Sequence, residues 1–228
     1  MKAYALRRRR GSGEPSPGTS RPSPGRGPLP TKSTSSVAFD AVIHNAGIGY
    51  RAPWRMEAEP GVPSIFAVNV LAAYILAALI DRPGRLVYVS SGMHHGVRPR
   101  MDDLLWAKRA WSGFSAYAES KLCDVLLAFA VARRWKDVRS NALEPGWVPT
   151  KMGGPSAPDD LHQGWVTEAW LATSEDELAR STGGYFYHQQ PRAPCAVTNK
   201  TEYCVPLLPL PSWKVAGRRW VCFSTCSR

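Results

Sequence analysis

The sequence predicts an α/β protein, a doubly wound parallel sheet with helices on both faces. Two observations carry this. Short apolar runs of strand length, at 38–44, 85–92, 138–147 and 183–188, alternate with helix-length segments. The first three strands also stop at polar, small-residue signatures, and in parallel α/β sheets ligands gather at the carboxyl ends of strands.

The elements follow in order. Residues 1–36 are MKAYALRRRR followed by a Pro-, Gly-, Ser- and Arg-rich stretch with almost no apolar content. Such a segment cannot bury enough surface to offset its ordering entropy, so a disordered basic tail is expected. It has no apolar core of signal-peptide length; being Arg- and Ser-rich and acid-poor, it leaves organelle targeting open beside a cytoplasmic location. From Ala38 the texture changes. AFDAVIH (38–44) suits a strand buried on both faces, and NAGIGY turns the chain. A helix is expected over 62–80. Its run PSIFAVNVLAAYILAALI approaches the length of a membrane span, but it begins at a proline, holds Asn69 and Tyr74, and stops at Asp81-Arg82-Pro83-Gly84. A buried helix is therefore predicted, and no transmembrane segment.

RLVYVSSG (85–92), rich in β-branched and aromatic residues, is the second strand. A polar insert with Trp106 and Trp111 (93–112) leads to a long apolar helix at 113–135. VRSNALEPGW (138–147) is the third strand, halted by Pro145-Gly146. Helices are expected near 159–173 and 174–180, with a fourth strand at 183–188. Beyond Pro194 periodicity is lost, and Pro206, Pro209 and Pro211 argue against a helix or central strand. One domain is thus expected at 37–194, between a tail at 1–36 and an irregular basic tail at 195–228.

The formal charge of +11 sits in those tails. Residues 1–36 hold eight Lys/Arg against Glu14, and 195–228 hold five against Glu202, which leaves 16 basic and 16 acidic residues between them. The neutral middle has no compositional reason to seek nucleic acid. Five cysteines, an odd number, suggest no disulfide framework but a reduced, intracellular chain. Cys123 reads as a small buried hydrophobe. Cys195, Cys204, Cys222 and Cys226 form no C-x-x-C pair, and no metal site is expected.

The strand ends carry the chemistry. They read Asn45-Ala46-Gly47, then Ser90-Ser91-Gly92, then Pro145-Gly146-Trp147-Val148-Pro149-Thr150. Between the last two, the long helix opens with YAESK (117–121). Residues four apart share a helix face, so Tyr117 and Lys121 point the same way. A free tyrosine, with pKa near ~10, exchanges protons poorly at neutral pH. A neighbouring ammonium favours the phenolate, and bringing it to near ~7 takes about 4 kcal/mol of differential stabilisation. Beside these residues, His94 and His95 read as loop histidines within reach of substrate or simply exposed. Trp106 and Trp111 read as pocket lining or as anchors of the insert. Trp147 and Met152 are candidates for substrate contact, Glu144 belongs to its strand end, and Glu175, Asp176 and Glu177 form a solvated helix start.

NAG (45–47), Asn69 in VNV, Ser91 of VSSG, YAESK (117–121) and PGWVPT (145–150) fall in an order that resembles the short-chain dehydrogenases/reductases, over about residues 38–190. The long insert, HNAG and SSGMHHG look like the branch of retinol-dehydrogenase-like enzymes and ketoreductases. The resemblance implies a Rossmann-like sheet and an oxidoreductase that moves a hydride between NAD or NADP and a small hydrophobic carbonyl or alcohol. It implies Tyr117 as the acid/base, assisted by Lys121, by Ser91 at the substrate oxygen and by Asn69 holding a water of a proton relay. Cofactor binding would fall to Asn45, Ala46, Gly47, Tyr117, Lys121, Pro145, Gly146, Val148 and Thr150, and homodimerisation to the long helices.

The pattern also departs from the family. No Gly-rich turn for the pyrophosphate follows a strand; GSG at 11–13 has no strand before it. No residue that would read the ribose 2′ position is present, so NAD and NADP stay open. Three strands with crossovers precede NAG in the family, roughly 75 residues at ~30 per βαβ unit, where 36 are found here. A partial, C-terminal Rossmann-like sheet is therefore expected, with 38–44 left at an edge that invites association. The alternative is a catalytically inert fragment of this family acting as a protein-interaction module.

Overall fold

The computed structural model describes residues 39–199, together with short strands at Tyr4–Leu6, Lys214–Val215 and Arg218–Arg219. Four parallel strands make its centre: β2 (Ala41–His44), β5 (Arg85–Val89), β6 (Arg139–Glu144) and β7 (Tyr185–Tyr187). β2 and β5 are buried along their whole length, as β-rich apolar runs without alternation require. β8 (Gln190–Pro191) returns antiparallel on β7. At the other edge β1 (Tyr4–Leu6) lies antiparallel on β2, giving the order β1-β2-β5-β6-β7-β8.

Side chains alternate across this sheet and so divide the core in two. Val42, Leu86, Tyr88, Ala142 and Tyr185 meet the helices of one face, packing on Val125, Ala128 and Phe129. Ala41, Ile43, Val87, Val89, Leu143 and Phe186 meet Leu171 and Ala172 on the other. The doubly wound α/β arrangement is the one the sequence predicts.

The first face carries a helix that starts as α1 (Ser64–Phe66), widens into a π-helical stretch at Ala67–Leu71 and continues as α2 (Ala72–Leu79). Beside it lies α3 (Gly113–Arg134). The Ser112 side chain caps α3 by accepting from Ser115 N at 3.3 Å, and Arg133 and Arg134 complement the dipole at its end. Most of α3 is buried, including the polar Glu119, Lys121 and Asp124, so its sequence shows length and apolar content more than one greasy stripe. The second face carries α4 (Gln163–Thr173). A small hairpin, β3 (Glu57–Glu59) with β4 (Val62–Pro63), precedes α1.

Several expectations are corrected. Residues 174–180 form turns rather than a helix, because Arg85 reaches across to the Ser174 carbonyl at 2.6 Å and to Glu175 at 3.1 Å. Glu175 is therefore an ion-pair partner. Tyr4–Leu6, inside the expected disordered tail, forms a strand, because its three residues are the β-compatible piece of that tail and the β2 edge offers unpaired backbone groups. The domain also runs past Pro194: Cys195 packs on Leu122, Leu126, Val97 and Met101, and a 3-10 turn follows at Ala196–Asn199. The rest of 1–36, GSG at 11–13, Cys204, Cys222 and Cys226 lie outside the described residues. Among those described, no helix is long and apolar enough to cross a membrane.

Candidate active site

Because the central strands run parallel, the loops after β2, β5 and β6 leave from one edge of the sheet, and α3 starts over the same edge. Ser90, the residue after β5, is buried and its hydroxyl donates to the Lys121 carbonyl at 2.7 Å. That bond fastens the strand end to the third turn of α3. Lys121 is 5 % exposed, and its Nζ donates to Val89 O at 2.7 Å and to Asp124 Oδ2 at 2.9 Å. The ammonium stands 5.9 Å from the centre of the Tyr117 ring. The shared helix face inferred from YAESK is thus realised. Burial penalises the ammonium, but the Asp124 carboxylate and Tyr117 outweigh that penalty, and the Lys121 pKa lies above its ordinary value.

Asn69 sits inside the π-helical stretch, which turns its amide toward the NAG loop. Its Oδ1 accepts from Ile48 N at 2.8 Å, and its Nδ2 donates to Ser120 Oγ at 2.9 Å and to Ile48 O at 3.2 Å. The amide therefore ties the loop after β2 to α3. Gly47 lies over it: a Cβ there would stand 3.6 Å from both Asn69 Oδ1 and Lys121 Nζ. Ser91 accepts from Met93 N at 3.3 Å and so caps the 3-10 turn at Gly92–Gly96. After β6, Gly146 takes φ +88°, a left-handed conformation that glycine adopts without strain, and Asp159 accepts from Trp147 N at 2.6 Å.

These elements enclose a cleft of about 730 Å³. Asn45, Gly47, Ser91, Tyr117 and Lys121 line it, together with Pro145, Gly146, Val148 and Thr150. Asn69 lies beneath the floor, and Ala46 does not border the cavity. Phe114, Trp147, Leu161 and Trp165, four large apolar side chains that are mostly exposed, all border this one cleft. Met152 borders it too, pressed against Gly49.

Other candidates resolve differently. His94 is fully buried, not an exposed loop residue: Nδ1 lies 2.7 Å from Ser91 O, and Nε2 accepts from Cys195 N at 3.2 Å. Burial holds its pKa down to about 4, with the Ser91 bond opposing. It braces the loop carrying Ser91. His95 is exposed beside it. Trp106 and Trp111 anchor the insert rather than line the cleft: their rings meet at 5.5 Å, Trp111 Nε1 donates to Ala52 O at 2.9 Å, and both pack in the cluster that contains Tyr117. Glu144 ends β6 as expected, but it is also buried against the cleft and ion-paired to Arg192.

Sequence reasoning missed three groups. Arg192, just after β8, and Glu168 of α4 reach the cleft from far along the chain, and no local spacing announces them. Burial pushes the Glu168 carboxyl up to about 7, against the pull of Lys121. Asp124 was open to detection, since it stands three residues after Lys121 on the same helix.

The chain matches no family model. It is 41 % identical over 164 residues to a short-chain dehydrogenase, chry4, of Gibberella zeae, covering 70 % of this chain and 62 % of that one. It is 30 % identical over 160 residues to human retinol dehydrogenase 13, covering 64 % and 47 %. The chain thus spans less than two thirds of the length of these relatives. Among solved structures, an uncharacterised protein of Mycobacterium paratuberculosis superposes with a TM-score of 0.61 at 24 % identity, over 75 % of this chain and 64 % of the other, a likeness of fold.

Proposed function

The chain belongs to the short-chain dehydrogenase/reductase family, and from that premise we propose that it acts as a nicotinamide-dependent oxidoreductase, interconverting an apolar ketone or aldehyde with its alcohol. Tyr117 exchanges the proton with the substrate oxygen, and Lys121 favours the phenolate. Ser91 donates a hydrogen bond to the oxygen as negative charge develops on it. Asn69 keeps the NAG loop and α3 in register. The observation that carries this reading is the buried Lys121 ammonium, 5.9 Å from the Tyr117 ring, on the wall of a cleft shared with Ser91.

The residues at this cleft fit the nicotinamide and its ribose. Gly47 leaves an open floor above Asn69, and Lys121 has a third N–H beyond the two spent on Val89 and Asp124. Asn45 and Gly47, with Ala46 joining them behind, would form one part of that seat and Pro145, Gly146, Val148 and Thr150 another. Bound there, the cofactor supplies the hydride. Among the described residues no Gly-rich strand–turn–helix offers a pyrophosphate seat. The exposed Phe114, Trp147, Leu161 and Trp165 at the mouth favour a flat apolar substrate.

The test is titration with NADPH and NADH by nicotinamide fluorescence, followed by turnover of an aromatic ketone. Saturable binding is expected, with turnover reduced about 10²- to 10⁴-fold by Tyr117→Phe while cofactor binding persists. A folded protein that binds neither dinucleotide overturns the proposal and leaves an inert member of the family, acting through protein contacts.

A further inference from the structure

We propose that Asp124 is a positioning residue that sets the working pH of the Tyr117 phenol by holding the Lys121 ammonium and partly cancelling its charge. This rests on the roles given above to Tyr117 and Lys121. A lysine has three N–H groups, and here one goes to Val89 O and one to Asp124 Oδ2, at 2.7 and 2.9 Å. The ammonium cannot swing freely toward the phenol, because its position is fixed from two sides. The Asp124 carboxylate is only 3 % exposed, so little water screens the pair. Tyr117 therefore sees an ammonium–carboxylate dipole where YAESK alone promises a bare cation. A phenolate gains less from a dipole than from a cation.

Among the charged neighbours, Asp124 is the carboxylate bonded directly to the ammonium, while Glu168 acts on it through space. From β5, Tyr88 is buried, and burial followed by the Asp124 charge pushes its phenol up, so it stays neutral. The His44 ring of β2 lies tilted against Tyr88 at 4.7 Å and its pKa is held down to about 4 by burial, so it is neutral too. On α3 itself, burial and then the Asp124 and Glu119 charges push the Cys123 thiol up to about 12. From α4, Glu168 faces Lys121 across the cleft end and is pushed up to about 7 by burial. Asp124 is pushed up to about 6 by burial, with Lys121 pulling the other way. Its negative charge is therefore present at neutral pH and fades below that value. As pH falls, the carboxyl takes a proton, the cancellation ends, and the Lys121 charge acts on Tyr117 undiminished. As pH rises the carboxylate returns and opposes phenolate formation.

The test separates charge from structure. Asp124→Asn keeps an oxygen to accept from Lys121 Nζ but carries no charge; Asp124→Ala removes both. Each is paired with its Tyr117→Phe counterpart, and the ultraviolet phenolate absorbance of Tyr117 is taken as the difference during a pH titration. In Asp124→Asn the phenolate should appear about one pH unit lower than in the parent protein, and the alkaline limb of the ketone-reduction profile should move with it. Identical titration of Asp124→Asn and the parent, with only Asp124→Ala displaced, assigns Asp124 a hydrogen-bonding role alone and overturns the proposal, as does a shift to higher pH. If the amide is not tolerated, Asp124→Ser carries the same expectation. A shift in absorbance without turnover supports this coupling while sinking the oxidoreductase reading, so the two failures are distinct.

Discussion

Replacing Lys121 by methionine removes one charge from a buried pair while keeping an unbranched stem of similar length. Val89 O loses its partner at 2.7 Å, and the Asp124 carboxylate loses its partner at 2.9 Å with almost no water to replace it. Breaking such a pair from one side typically costs about 3–5 kcal/mol, because the remaining charge stays buried and uncompensated. The loss also depends on pH. Asp124 already sits near 6 in the folded protein, above its unfolded value, so the native state binds the extra proton and stability falls as pH rises through that window. Without Lys121 the carboxyl moves higher still. The penalty of Lys121→Met should then be small near pH 5 and grow toward pH 8, at up to about 1.4 kcal/mol per unit for one proton. Urea unfolding followed by circular dichroism at several pH values measures it. Adding Asp124→Asn to Lys121→Met removes the stranded charge and should recover about 2 kcal/mol at pH 8, read as the coupling of a double-mutant cycle. A penalty that is flat between pH 5 and 8, or strictly additive mutations, would falsify the buried ion pair as drawn.

Two further outcomes concern the support of the site. Gly113 begins α3 under the loop carrying Tyr50 and Ala52, and a Cβ there would run into the Ala52 carbonyl and stand 2.7 Å from Tyr50 O. Gly113→Ala should cost about 1–3 kcal/mol in urea unfolding, as overpacking against backbone does, and should lower turnover because the Tyr117 turn must shift; unchanged stability would contradict the packing. Arg109 holds both oxygens of Glu119 at 2.8 and 2.6 Å, approaches Asp103 at 3.3 Å and lies 3.6 Å above the Trp106 ring. Arg109→Met strands two buried carboxylates and should destabilise by about 3–5 kcal/mol at neutral pH in urea unfolding; unchanged stability would refute this account of the insert.

The α/β class, the four parallel strands and the long helix were legible because they depend on local pattern. A strand buried on both faces reads as a mostly apolar run, as Ala41–His44 and Arg85–Val89 do apart from His44 and Arg85 at their ends. Tyr117 and Lys121 share a face because a helix repeats every 3.6 residues, wherever that helix lies. Tertiary structure decided the rest. Only packing against Cys195 and Tyr185 makes His94 a brace rather than an exposed loop residue. Arg85 turned 174–180 away from a helix by binding the Ser174 carbonyl and the Glu175 side chain, and the open β2 edge drew three residues out of a tail whose composition argues against order. The charge that Tyr117 feels belongs to the same category. Spacing puts an ammonium beside the phenol, but how much of its field survives depends on Asp124 being sealed from water by the sheet beneath it. That burial is a property of the folded core, set by contacts between distant segments, and no local window of residues contains it.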